Sequence, residues 1–219
     1  MKKICLLFLS FIAGSALIAQ MSVMVGPTFL KPFGSTGIYP GFHIGMEFGQ
    51  DDMQTYYGKL SFLPSKTFET NNSISAIVND ATLPLPYQLQ LDVEEKFNYT
   101  VLEFGKRFYF GEGFDSGFSP YGGSSMQLVF NKVKWKVEDY DQNNYKLSDA
   151  SQETVGSLFG LFFGIGGGVK KSFYFGTLYL DAGMSYSLLA VPSNNVASST
   201  NNFKSLLFNF NIGFRKDFY

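Results

Sequence analysis

The chain has 219 residues with a formal net charge of −1, and 18% of it is aromatic, with 25 Phe and 13 Tyr against one Trp. Near-neutral charge removes the basic field that nucleic-acid binding needs, and no segment beyond the N-terminus approaches the roughly 18 unbroken apolar residues of a spanning helix. The aromatic content exceeds what a soluble domain of this size uses, but suits a barrel that spends such residues on a lipid band and its girdles.

At the N-terminus, Lys2 and Lys3 precede an apolar stretch, Ile4 to Ile12, broken only by Ser10. Small residues follow at Ala13, Gly14, Ser15, Ala16 and Ala19. This pattern predicts a secretory signal peptide over 1–20, and cleavage after Ala16 or Ala19 fits equally well. The only cysteine, Cys5, lies inside that segment with no lipobox before it, so the mature chain carries no disulfide. Removing the two lysines leaves 15 basic against 18 acidic residues, a charge of −3. The remaining 21–219 suits one domain.

Period-two alternation then predicts strands in sequence. The first is about Ser22–Leu30. The second, Ile38–Phe48, sets Ile38, Pro40, Phe42, Ile44, Met46 and Phe48 against Tyr39, Gly41, His43, Gly45 and Glu47. The third is about Thr55–Leu63 and the fourth Phe97–Tyr109, with Leu102 and Phe104 opposed to Glu103 and Gly105. The fifth is Pro120–Asn131. Val155–Lys170 sets Phe159, Leu161, Phe163 and Ile165 against glycines, and strands over Thr177–Leu189 and Lys204–Phe218 complete the set. One face of each strand is bulky and apolar. The other carries glycines and ionisable groups and is expected to build no packed hydrophobic core.

Connections at 49–54, 110–118 and about 171–175 are short; those at 64–96, 132–154 and 190–203 are long and polar, and 31–37 is intermediate. Eight strands with loop lengths sorted by side predict an all-β, antiparallel, up-and-down transmembrane barrel of the bacterial outer membrane, its long loops extracellular. A soluble sandwich has no reason to sort its loops. Eight strands enclose an interior just wide enough for side chains, which argues against a general porin.

Phe118-Ser-Pro-Tyr-Gly-Gly123, the Gly160–Gly168 run and the closing Asn211-Ile-Gly-Phe-Arg-Lys-Asp-Phe-Tyr219 carry a resemblance over nearly the whole mature chain. It resembles the small outer-membrane barrel family typified by PorT and the transmembrane domain of OmpA. That resemblance implies insertion by the barrel-assembly machinery, which in this family reads an aromatic-rich last strand. Here the apolar parity ends on Phe218, one residue before Tyr219.

The ionisable residues on the glycine-bearing parity are His43, Glu47, Lys59, Glu103, Arg107, Asp181 and Arg215. Charges inside a narrow lumen must be paired, so these are expected to form a salt-bridge network, with an ion or proton path as the sharper alternative. Pairing Glu47 near Tyr57 places Glu47 diagonal to Lys59. His43, the only histidine, points inward by parity, whereas a lipid-A deacylase of the PagL type needs a His and a Ser on the lipid side. Gly164-Ile-Gly-Gly-Gly-Val-Lys-Lys-Ser172 fails the phosphate-loop spacing and no helix follows it. Asn98-Tyr-Thr100 matches a glycosylation sequon but falls inside a predicted membrane strand. No catalytic residue, cofactor or metal site is expected.

Gln88–Lys96 and Asn131–Glu138 show an inversion of polarity. The parity that faces lipid lower down becomes charged, and the lumen parity becomes apolar. Pairing through the 110–118 turn sets Glu94 near Lys134 and Asp92 near Lys136. An extracellular cap is predicted on Leu91, Val93, Val133, Trp135 and Val137, with Ile74–Tyr87 packed against it. The expected protein is a monomeric, non-enzymatic barrel in contact with outer-membrane lipid and lipopolysaccharide, with a surface ligand or protein partner unassigned. Its rivals are a lipid-A-modifying barrel enzyme and a soluble secreted barrel or sandwich that turns Phe42, Phe163 and Phe210 inward.

Overall fold

In the computed structural model the described residues are 20–35, 37–79, 85–137, 139–147, 155–192 and 205–218. The predicted signal segment up to residue 19, and Tyr219, lie outside them. The strands are β1 (Met21–Pro32), β2 (Tyr39–Asp51), β3 (Gln54–Val78), β4 (Gln88–Tyr109), β5 (Phe118–Val137), β6 (Tyr145–Leu147), β7 (Val155–Phe173), β8 (Gly176–Pro192) and β9 (Leu206–Phe218). Each long strand pairs antiparallel with its sequence neighbours, and β1 pairs with β9, so eight strands close into a ring. β6 stands outside that ring, paired with Ala76–Val78 at the upper end of β3.

Alternation decides which face meets what. Phe42, Phe163 and Phe210 point outward and are 55%, 45% and 36% exposed, the reverse of what a soluble sandwich requires. On β5 the outward parity runs from Pro120 to Phe130, ten residue steps that span about 33 Å along the strand and, at the usual tilt of roughly 40°, about 25 Å of height. That is the thickness of an outer-membrane hydrocarbon band. At the lower end Tyr56, Phe108, Phe110, Phe118 and Tyr174 are exposed, and Phe173, Phe175 and Phe214 stack at 5.4 and 6.2 Å. Lys106 lays its ammonium 5.2 Å from the Tyr56 ring centre and 5.1 Å from that of Phe108, an aromatic girdle with a snorkelling cation.

The lower connections are tight. Tyr174–Phe175 forms a two-residue turn, and the 110–117 connection bends through Gly111, Gly113 and Gly117, with φ of +83°, +80° and +53°, a region that only glycine enters without strain. At the upper end the expected 64–96 loop is largely ladder: β3 continues to Val78 and β4 starts at Gln88. Two register shifts, between Leu63 and Lys66 and between Glu69 and Ser73, break the period-two pattern that a sequence reading follows. In the same way β5 and β6 occupy parts of the expected 132–154 loop.

A second correction concerns the interior. Leu30, Tyr39, Leu63, Phe97, Tyr99, Val101, Val129, Val133, Phe162 and Leu207 form a buried apolar cluster inside the upper half of the barrel. Tyr39 meets Tyr99 edge-on at 4.8 Å and Phe97 at 6.4 Å. The expectation that the inward face builds no packed core therefore fails there. The glycines and charges that supported it sit mainly in the lower half, and the inward parity of β4 and β5 becomes apolar only above Glu103 and Gln127.

Candidate functional site

The lower half of the lumen is ionic. His43, Glu47, Lys59, Glu103, Arg107, Asp181 and Arg215 are all buried, and the closed ring brings them into two linked groups. In the larger group, Arg107 Nη1 donates to Glu47 at 3.0 Å and its Nη2 to Asp181 at 2.9 Å. Arg215 lies 3.6 Å from the same Glu47 carboxylate and 2.8 Å from Asp217. Thr55 and Tyr109 each donate a hydroxyl to Glu47 at 2.6 Å. Asn211 donates to Asp181 at 2.5 Å, and Thr28 in turn donates to Asn211 at 2.5 Å. In the smaller group, Lys59 pairs with Glu103 at 3.0 Å and Tyr57 donates to Glu103 at 2.6 Å.

The diagonal Glu47–Lys59 contact does not form. Glu47 does lie opposite Tyr57, but Lys59 sits directly opposite Glu103 on β4, a closer position than the diagonal. Glu47 is instead reached across the lumen by arginines from β4 and β9. His43 is enclosed and its Nε2 bonds the Tyr179 hydroxyl. Below this network Arg215 donates to the Phe114 carbonyl at 2.7 Å, and buried Lys170 donates to the Ser116 carbonyl at 2.5 Å, so the 110–117 turn folds under the barrel as a floor.

Tyrosines complete the site; they share the inward parity of Lys59, Ser125 and Asp181, but a choice of charged residues and histidine leaves them out. The Arg107 guanidinium lies 4.3 Å from the Tyr57 ring centre, 4.9 Å from that of Tyr121 and 6.0 Å from that of Tyr179. Each of these tyrosines is paired across the ladder with a glycine: Tyr57 with Gly105, Tyr121 with Gly168 and Tyr179 with Gly213. A Cβ on Gly105 would lie 2.6 Å from the Tyr57 ring, and one on Gly168 would lie 2.7 Å from that of Tyr121. The glycines are there so that the rings can lie flat against the wall around the arginine. Cross-strand Tyr–Gly pairing is the signal that could have identified them.

Charged and aromatic side chains leave little space. A cavity of about 30 Å³ lies among Tyr57, Lys59, Glu103, Arg107, Gln127 and Asp181, room for about two waters. Among the described residues no group of three or more His, Cys, Asp or Glu is placed to hold a metal.

The predicted cap is divided. Leu91 packs with Ala76, Val78 and Tyr145, and Leu89, Val137, Tyr140 and Leu147 lie against them. Val133 belongs to the plug inside the barrel. The side chains of Val93 and Trp135 lie outside the described residues. The charge pairing on this ribbon is two residues out of the expected register: Glu94 stands opposite Lys136, and Lys134 stands opposite Lys96. The turn is centred one residue later than its length implied, because Tyr109 and Tyr121 already pair.

No protein-family model and no curated protein matches the chain. Among solved structures it is similar to a major outer membrane protein of Thermus thermophilus, with a TM-score of 0.52 and 11% identity over 91% of this chain and 99% of that one. The fold is that of a bacterial outer-membrane barrel. Neisserial surface protein A has a TM-score of 0.49 at 13% identity, covering 90% of this chain and 97% of its own. Ail of Yersinia pestis, solved with the heparin analogue sucrose octasulfate, has a TM-score of 0.48 at 14% identity over 91% of this chain and 100% of its own.

Proposed function

We propose that the protein is a monomeric, non-enzymatic barrel of the bacterial outer membrane, secreted on the signal segment 1–20 and inserted by the barrel-assembly machinery. Its work is structural or surface-directed, in contact with lipid and lipopolysaccharide and with no cofactor. The observation that carries this is the sorting of faces: phenylalanines exposed around the outside and a paired ionic network buried within. The network acts as a fixed filling, because every charge in it has a partner and the apolar cluster lies above it. The finer likeness to PorT and the OmpA membrane domain rests on the sequence patterns at 118–123, 160–168 and 211–219. A lipid-A enzyme is disfavoured by His43, whose ring is enclosed by the wall and bonded to Tyr179.

A surface-binding role is favoured by one feature, the apolar cluster of Ala76, Val78, Leu91 and Tyr145, which stiffens the ribbon that β3, β4 and β5 raise above the band. Val137 already lies against that cluster and Val133 belongs to the plug, so the cap reading extends it only to Val93 and Trp135. Replacing Trp135 with Ala is expected to speed proteolysis of the outer loops, and unchanged proteolysis overturns the cap.

Cell fractionation and a heat-modifiability gel test the main reading. The protein is expected in the membrane pellet, extracted only by detergent and shifting in mobility on boiling; release into the soluble fraction overturns it. In planar bilayers the filled lumen is expected to pass no steady current, and a stable conductance overturns the fixed filling.

A further inference from the structure

We propose that Lys96, Lys132 and Lys134 form a site for the phosphate groups of outer-leaflet lipid. This rests on the outer-membrane reading above and gives it a specific ligand. The three lysines lie on the outward parity of β4 and β5. Lys96 stands directly opposite Lys134, and Lys132 is opposite Asn98, one ladder step lower. Lys132 and Lys134 are exposed and Lys96 is half-buried. Like charges directly opposite across a ladder repel, and among the described residues none of the three lysines has an ion-pair or hydrogen-bond partner. Glu94 and Asp92, further up β4, are exposed and make no ion pair with them.

Height identifies the anion. Phe130, the residue two before Lys132, packs against Phe159 at 5.2 Å, and both belong to the upper rim of the apolar band. Two residues along a tilted strand add about 5 Å of height, so Lys132 sits about 5 Å above that rim and Lys134 about 10 Å. The headgroup layer occupies about the first 5–8 Å beyond the hydrocarbon. Lys132 lies within that layer, and the flexible stems of Lys96 and Lys134, rooted a few ångströms higher, bend down to carry their ammonium groups to phosphate level, beside an apolar surface for the acyl chains. A single phosphate group between Lys96 and Lys134 turns a repulsive pair into a clamp.

The test uses the folded full chain in zwitterionic detergent, titrated with diphosphorylated lipid A, the same lipid with its phosphates removed, or inorganic phosphate. The wild type is expected to bind the phosphorylated lipid at least tenfold more tightly than the dephosphorylated one, with the difference fading as salt rises toward 0.5 M. Lys96→Gln/Lys132→Gln/Lys134→Gln is expected to lose that tenfold preference. Lys31→Gln, an exposed lysine at the upper end of β1 on the opposite wall, is expected to keep it. A triple variant that keeps the tenfold preference for the phosphorylated lipid overturns the site. Inorganic phosphate competing as well as the lipid overturns the lipid as its source. A triple variant that stays heat-modifiable while losing nothing refutes this proposal alone, whereas a wild type that never enters membranes refutes the reading beneath it.

Discussion

The two halves of the barrel interior solve one packing problem with opposite chemistry. Below, Glu47, Arg107, Asp181 and Arg215 fill the lumen with charges held within 2.9–3.6 Å of one another. Above, Phe97, Tyr99, Val129, Phe162 and Leu207 fill it with apolar surface. The outer face does not change with them over the band, since lipid imposes one composition on it at every height. What faces the axis answers only to its neighbours, so it can be ionic or oily provided that charges are matched and volume is filled. Stacking the two fills the lumen with matched charge below and packed apolar surface above.

Four variants sharpen that contrast. The largest expected effect is Arg107→Ala, which strands the Glu47 and Asp181 carboxylates and is expected to cost about 3–5 kcal/mol in urea unfolding from lipid vesicles. If the loss is under about 1 kcal/mol, the lower half is no more dependent on its pairs than a solvated surface. Next comes Phe210→Arg on the lipid side, expected to cost about 2–4 kcal/mol if the residue lies near the midplane; a neutral result in the same assay would place that phenylalanine out of the hydrocarbon. Gly105→Ala drives a methyl into the Tyr57 ring and the Ser124 carbonyl, both 2.6 Å away, and is expected to cost about 1–3 kcal/mol. The smallest is Phe162→Leu in the upper plug, at about 1 kcal/mol, because an apolar layer tolerates a modest change of shape. A larger loss for Phe162→Leu than for Arg107→Ala would reverse the ranking of the two halves.

Much of the architecture was legible because lipid writes a regular pattern: each strand of the ring shows its outward parity in residues such as Phe42, Phe163 and Phe210. The inward ionisable set was legible for the same reason. Their partners were not, since Arg107 meets Glu47 and Asp181 from strands that are not its neighbours in the ladder, and only ring closure brings those walls together. Tyrosine was ambiguous because it serves both faces, as Tyr56 pointing out and Tyr57 pointing in demonstrate. The upper end of β3 was read as loop because two bulges hide its parity, whereas that of β4, Gln88–Lys96, was legible as a ribbon paired with the upper end of β5.

One contact pattern has a mechanical consequence. Arg107 stands on β4, while the carboxylates it grips belong to β2 on one side and β8 on the other. Its guanidinium is thus a strut between separate arcs of the cylinder. Lateral pressure that flattens the cross-section into an oval must stretch one of those two bonds before the wall can bend. With the strut intact, the protein should behave as a stiff peg in a soft sheet; without it, the same eight strands could breathe with the bilayer around them.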